Sequence, residues 1–186
     1  MSEYQYYEFC RIKSPISEEA REEMRSLSSR AKVGTHGASY VYNYGDFRGD
    51  PKKLLLQYFD IFFYISNYGT IRLMFKYKPG QINIDELKKY DIKHVISCEQ
   101  YDKGVLLEIY INKEEGFGWT EGEGLLADLL PIYAEIKAKN YQFLRLITAI
   151  NDKLNDKANN SLSNIIDEME LSSSQQAFLD IIDLSY

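Results

Sequence analysis

Alternation of apolar and polar residues predicts several β-strands along the chain. The clearest case is residues 70–77, where Ile71, Leu73 and Phe75 fall on one face and Arg72 on the other, because successive side chains of a strand point to opposite faces. We expect one face of this strand to lie in the core and the other to be wet or partly covered. Alternation, or a high density of β-favouring residues, predicts further strands over residues 4–12, 39–44, 94–99 and 104–111.

Capping residues and helical periodicity predict the helices. Ser17, followed by two glutamates, predicts the start of an amphipathic helix. Asp50 and Pro51 predict a second start, because aspartate caps the free N–H groups and proline suits the first helical position. Apolar residues lie on most sides of residues 51–67, which predicts a buried central helix ended by Gly69. This segment is too short and too interrupted by charge to span a bilayer, which needs about 20 apolar residues.

The order of these elements predicts an α+β fold. A short helix is expected at residues 85–90, and longer helices follow at residues 125–140 and 141–154. We therefore expect a mainly antiparallel or mixed sheet of about five strands, with helices packed on one face and a helical C-terminal region. The predicted organisation is a sheet domain (residues 1–124), helices packed on it or extending it (residues 125–158) and a short amphipathic helical tail (residues 159–186).

Charge is distributed unevenly along the chain. Residues 1–113 hold 17 basic and 15 acidic residues, whereas residues 114–186 hold 5 basic and 13 acidic residues. The acidic C-terminal third argues against binding of that part to a phosphate backbone, and the sequence has no run of lysine or arginine typical of nucleic-acid binding. The 16 tyrosines suit either a wet-edged core or an adhesive surface. Charge and composition therefore leave a protein partner open and argue against nucleic acid.

Cysteines and histidines are few. Cys10 and Cys98 are the only cysteines, and no basic start followed by an apolar run opens the chain. We therefore expect two reduced core thiols in a cytoplasmic protein, with a disulfide possible only if their strands are neighbours. His36 and His94, the only histidines, have no carboxylate or cysteine at ligand spacing, so no metal site is expected on them.

Asp46, Arg48 and Asp50 form the first candidate site, between a strand end and a helix start. Arg48 would bind a phosphate or carboxylate, and the helix N-terminus would add its partial positive charge. In the alternative, Asp50 caps the helix, and Arg48 pairs with Asp46 or with an acid of residues 114–124. Caps and loop ion pairs are the commoner use of such residues, so the structural role is favoured.

Residues 114–124, EEGFGWTEGEG, form the second candidate site. Carboxylates on a flexible loop, such as Glu121 and Glu123, are suitable ligands for Mg²⁺ or Ca²⁺. The spacing matches no calcium-binding loop, however. The favoured interpretation is a solvated loop in which these two acids stabilise the N-terminus of the helix that begins near Leu125, with Trp119 as a packing anchor.

The C-terminal tail is a candidate interaction element. Apolar residues at helical spacing predict two short amphipathic helices, separated by the serines at 172–174. Their apolar faces are buried either on the sheet domain or against a partner. The candidate interaction residues are Trp119, Ile165, Ile166, Phe178, Ile181 and Ile182.

Six short segments also carry a resemblance: YQYYEF (4–9), LSSRA (27–31), YGDFRGDP (44–51), YFD (58–60), YGTIRLMF (68–75) and EEGFGWTEGEG (114–124). Together they resemble an uncharacterised family of bacterial proteins. The resemblance runs over roughly the first 145 residues. It implies a bacterial cytoplasmic domain, and it implies no catalytic residue because no activity is established for that family.

Two functions from different classes follow. The favoured one is a non-catalytic protein-interaction or scaffold domain, which engages a protein partner or a second copy through its aromatic surface or its tail. The alternative is a ligand-binding or hydrolytic enzyme that acts on a phosphate-containing substrate through Asp46, Arg48, Asp50 and residues 114–123, with or without a divalent ion. The sequence shows no nucleophile with its base, P-loop, dinucleotide fingerprint or zinc quartet. The enzyme hypothesis therefore lacks a chemical centre, and no cofactor is indicated.

Overall fold

The fold is built on an open antiparallel β-sheet, as a computed structural model shows for residues 3–117, 121–155 and 166–182. Within these residues the sheet has seven strands in the order β2-β3-β1-β4-β5-β7-β6, and every neighbouring pair is antiparallel. The strands are β1 (Gln5–Cys10), β2 (Lys32–Val33), β3 (Gly37–Tyr42), β4 (Ile61–Ser66), β5 (Thr70–Tyr77), β6 (Ile96–Tyr101) and β7 (Gly104–Asn112).

The helices confirm the predicted α+β class and the helical C-terminal region. They are α1 (Glu18–Leu27), α2 (Pro51–Tyr58), α3 (Ile84–Leu87) with a 3₁₀ turn after it (Lys88–Tyr90), α4 (Leu125–Lys137), α5 (Gln142–Leu154) and α6 (Ser173–Ile182). Ser17 caps α1 as predicted, because its hydroxyl oxygen accepts a hydrogen bond from Ala20 N at 3.2 Å.

The predicted helix over residues 51–67 is wrong in its second half. Helix α2 ends at Tyr58, and the chain then enters β4, which pairs with β1 on one side and with β5 on the other. A strand buried on both faces is a continuous apolar run, which periodicity alone does not distinguish from a buried helix. The aromatic and β-branched residues at 61–65 favour the strand. Gly69 has the expected positive φ of 96°, but it serves the β4–β5 turn rather than a helix end.

The sheet has seven strands rather than about five because β2 and β4 were not predicted as strands. Helices also pack on both faces of the sheet rather than on one. Met24 of α1 and Leu55 of α2 lie in one hydrophobic cluster with Phe62. Leu129 of α4 lies in a second cluster with Phe63 of the opposite sheet face. The second face of β5, which was expected to be wet or partly covered, is partly covered: Met74 and Lys76 are buried, whereas Thr70 and Arg72 are half-buried.

The cluster that contains Phe63 and Leu129 also contains residues of α5 and α6. Phe178 of α6 is fully buried, and its ring meets Phe143 of α5 edge-to-face with centroids 5.0 Å apart. Sheet residues and residues of α4, α5 and α6 therefore share one hydrophobic cluster. The division at residues 124 and 158 stays a prediction. Within the described ranges, no helix combines the length and the apolar character needed to cross a bilayer.

The two cysteines lie in strands that are not neighbours. Cys10 is in β1 and Cys98 in β6, with β4, β5 and β7 between them. Four interstrand spacings separate them by roughly 19 Å, whereas a disulfide needs Cα atoms within about 7 Å. Both are free thiols, and burial raises the pKa of Cys10 to about 11 and that of Cys98 to about 12. Neither forms a thiolate readily at neutral pH.

Candidate functional site

A pocket lined by basic residues opens where β1 ends, β4 begins and β5 ends. Main-chain bonds hold these three strand ends together: Asp60 N donates to Cys10 O at 2.9 Å, and Lys76 N donates to Asp60 O at 2.8 Å. The cavity has a volume of about 120 Å³. Its charged lining consists of five basic residues and one acidic residue, namely Arg11, Lys13, Lys76, Lys78, Lys137 and Asp60.

Lys76 forms the buried wall of this pocket. The residue is only 8% exposed, and its Nζ donates to Leu55 O at 3.1 Å and to Leu56 O at 3.4 Å. Both carbonyls belong to the last turn of α2, where the helix carries a partial negative charge. Burial lowers the pKa of Lys76, because the charged amine loses its water, although Asp60 works in the opposite direction.

Asp60 and Tyr133 fix the shape of the pocket through hydrogen bonds. Asp60 Oδ2 accepts from Ile12 N at 2.9 Å, which holds the chain beyond β1 against the start of β4. The Tyr133 hydroxyl donates to Lys76 O at 3.2 Å, and its ring stacks on Tyr77 at 4.5 Å. Burial, together with Asp60, raises the pKa of Tyr133 to about 12. Tyr133 therefore stays a neutral hydrogen-bonding group at physiological pH.

The basic residues of the pocket have no acidic partner of their own. Ion pairs elsewhere engage other cations, such as Lys52 with Glu108 at 3.4 Å and Lys32 with Glu123 at 2.9 Å. Among the described residues, no ion pair involves any of the five basic residues of the pocket. The pocket thus concentrates positive charge on a chain whose net charge is −6. Such a concentration attracts anions.

The first predicted site has an identifiable structural role. Asp50 caps α2, because its Oδ1 accepts from Lys53 N at 3.1 Å. Asp46 and Arg48 are exposed, and the part of the chain that the structure describes contains no ion pair of Arg48. Phe47 anchors this loop by stacking on Tyr7 at 5.0 Å, on the sheet face that carries α1 and α2.

The second predicted site lies against the opposite sheet face. Gly122 N donates to the Tyr4 hydroxyl at 2.9 Å, and a Cβ at Gly122 would collide with the ring of Tyr6. Glu121 and Glu123 flank this glycine and are exposed. Tyr4 and Tyr6 belong to the cluster under α4, α5 and α6. The sheet therefore separates these two carboxylates from Asp46, Arg48 and Asp50, and the structure does not bring the two candidate sites together.

The predicted interaction residues fall into two groups. Trp119 and Ile165 lie outside the described residues. Ile166 is half-buried against the cluster of α4, α5 and α6, and the other three residues are buried inside it. These are Phe178, Ile181 and Ile182. Residues 166–182 of the tail therefore pack against the rest of the chain, and little of the side chains of Phe178, Ile181 and Ile182 is available to a partner.

Sequence reasoning missed the basic pocket. Arg11, Asp60 and Lys76 are far apart in sequence, and only the pairing of β4 with β1 and β5 brings them together. One signal was present, since Lys76 interrupts the apolar run of a strand between Phe75 and Tyr77. A lysine in such a position often needs a polar partner.

No protein-family model, curated protein or solved structure matches the chain. The resemblance to a bacterial family therefore stays a prediction. Both histidines are exposed, and the described residues contain no group of three or more metal-ligating side chains. The basic pocket is therefore the feature of the structure that indicates a function.

Proposed function

We propose that the protein binds a small anionic ligand, bearing a phosphate or carboxylate group, in the basic pocket. One observation carries this proposal: a cavity with a single carboxylate is surrounded by five basic residues, none of which forms an ion pair with the described residues. Amines and guanidinium groups form their strongest hydrogen bonds with charged oxygen atoms. Phosphate and carboxylate groups are therefore the chemistry that suits this lining best.

The size of the cavity limits what it holds. A volume of about 120 Å³ corresponds to roughly four water molecules at about 30 Å³ each. This space accommodates one phosphate or carboxylate group, with the remainder of a larger ligand extending into solvent past Lys13 and Lys78. These two lysines are exposed, so they are free to close on the ligand.

Calorimetric titration with inorganic phosphate and with citrate tests this proposal. A Lys78→Ala, Lys137→Ala double variant should bind at least one of these anions at least about 10- to 100-fold more weakly, because the loss of even one hydrogen bond to a charged group costs about 1.5–3 kcal/mol. Lys93 and Lys139 are exposed lysines outside the pocket. Their double alanine variant is the matched control, since it removes the same charge and should bind normally. Equal weakening in both variants, or no binding by the unaltered chain, would refute the proposal.

A second proposal is that the exposed tyrosines form an interface with a second copy of the chain. Tyr44, Tyr68 and Tyr110 are 77%, 47% and 39% exposed. Tyr68 is joined to Tyr64 by a hydroxyl–hydroxyl hydrogen bond of 3.0 Å. Tyrosine supplies a large contact area with a polar tip, which suits interfaces. These three exposed tyrosines, rather than the buried residues of α6, support the proposal of an interaction function.

Light scattering coupled to size-exclusion chromatography tests the second proposal. We expect the full chain to form a dimer at micromolar concentration, and a Tyr44→Ser, Tyr68→Ser, Tyr110→Ser variant to elute as a monomer with an unchanged circular dichroism spectrum. A monomeric unaltered chain would contradict the proposal.

The two free thiols support the further proposal of a cytoplasmic location, where cysteines stay reduced.

A further inference from the structure

Lys76 differs from the other lysines in its burial. Among residues 3–117, 121–155 and 166–182, it is the only buried lysine or arginine. Its Nζ donates to the carbonyl oxygens of Leu55 and Leu56, and none of the ion pairs of the described residues includes it. A buried cation without a carboxylate partner is costly, so burial lowers the pKa of the Lys76 amine, while Asp60 and the negative end of α2 act in the opposite direction.

The two carbonyl contacts determine how a neutral amine would be oriented. A neutral lysine has two N–H donors and one lone pair, whereas the ammonium has three donors and no lone pair. Both donors of the neutral form are satisfied by Leu55 O and Leu56 O, at 3.1 and 3.4 Å. The lone pair then points away from the end of α2. Since Lys76 lines the pocket, the cavity is the open space that remains for an electrophile.

The charged groups around Lys76 act on its pKa in both directions. Arg11, Lys78 and Lys103 disfavour a further positive charge and lower the pKa of Lys76, in addition to the effect of burial. Asp60 is the opposing group. From α4, Tyr133 and Lys137 also line the pocket, the first as a neutral hydroxyl and the second as a further cation; Lys13 and Tyr58 complete its ionisable lining. Basic neighbours and burial are the means by which proteins activate a lysine as a nucleophile.

We propose that the Lys76 amine forms an imine with the carbonyl carbon of a small aldehyde or ketone, whose anionic group is held by the surrounding basic residues. This inference rests on the anion binding proposed above. The amine lone pair forms the C–N bond, the carbonyl π electrons move to oxygen, and that oxygen takes up the proton that the amine loses. The resulting hydroxyl then leaves as water with the second amine proton, which gives the C=N bond.

Borohydride trapping tests this proposal on the full chain. The chain is incubated near neutral pH with pyridoxal 5′-phosphate, or with pyruvate, and then reduced with sodium borohydride and digested for peptide mass spectrometry. We expect the reduced adduct on Lys76 to exceed that on any exposed lysine by at least about tenfold, because the basic lining concentrates an anionic carbonyl compound beside this amine. Pyridoxal without its phosphate is the control ligand and should lose this selectivity.

Two variants distinguish this chemistry from simple binding. Lys76→Arg keeps nitrogen donors for the carbonyl oxygens of Leu55 and Leu56 but has no nucleophilic amine, so it should lose the adduct. Lys78→Met should weaken phosphate binding and leave the remaining adduct on Lys76. Phosphate binding without selective labelling of Lys76 would overturn the imine proposal alone. Absence of both phosphate binding and labelling in the unaltered chain would overturn the anion-binding proposal as well.

Discussion

Phe178→Ala should destabilise the protein by about 3–5 kcal/mol. Phe178 lies on α6 and is fully buried, and its ring contacts Phe143 edge-to-face. Truncation leaves a cavity in the hydrophobic cluster shared by the sheet and α4, α5 and α6, because close-packed neighbours relax only in part. Urea unfolding, followed by circular dichroism, would show a lower midpoint with little change in slope.

The control for this substitution lies on the same helix. Gln176→Ala removes an exposed side chain that donates to Asp180 Oδ1 at 2.9 Å. We expect a change within about 0.5 kcal/mol, as for most surface positions. If Phe178→Ala were as mild as its control, α6 would not belong to the cooperative core. A large effect would also mean that a deletion of residues 159–186 is not a suitable test of partner binding, because the deletion would remove residues of the hydrophobic core.

Phe62→Ala and Phe63→Ala should each cost about 3–5 kcal/mol. These adjacent residues of β4 point to opposite faces of the sheet, and both are fully buried. Phe62 packs under α1 and α2, whereas Phe63 packs under α4, α5 and α6. Two adjacent substitutions are expected to lower the free energy of unfolding by similar amounts only if both faces of the strand are covered by packed side chains. Chemical unfolding of each single variant measures the two losses.

Lys53→Ala, at an exposed position of α2, is the control and should have little effect. If only one of the two phenylalanine substitutions were destabilising, the two-sided core would be incorrect. The pair of substitutions thus tests both corrections to the predicted fold, namely the strand at residues 61–66 and the presence of helices on both faces.

Local sequence signals predicted those elements whose formation depends on local interactions. The caps of α1 and α2, strand β5 and the β6–β7 hairpin all follow from residues close in sequence. Strand β4 does not, because its apolar run has no solvent-facing side to give it a period of two. The placement of helices on both faces is likewise a property of tertiary packing, which no single segment encodes.

The candidate site was less predictable than the fold. Asp46, Arg48 and Asp50 are close in sequence, and the capping role that was favoured for Asp50 is the one that the structure shows. The basic pocket combines residues from the end of α2, from the residue just before β4, from β5, from α4 and from the segment after β1, which only the folded chain brings together. Lys76 lies on the face of β5 that was expected to be wet or partly covered, and the sequence alone did not show which helix covers that face.

The interior position of β1 in the sheet affects folding during synthesis. β1 lies between β3 and β4, so its pairing cannot be completed until residue 66 has left the ribosome. The sheet face that receives α4, α5 and α6 stays uncovered for longer, until the buried residues of α6 near position 182 have emerged. An apolar sheet face that waits for the last helix of the described chain is a surface prone to aggregation and suited to chaperone binding.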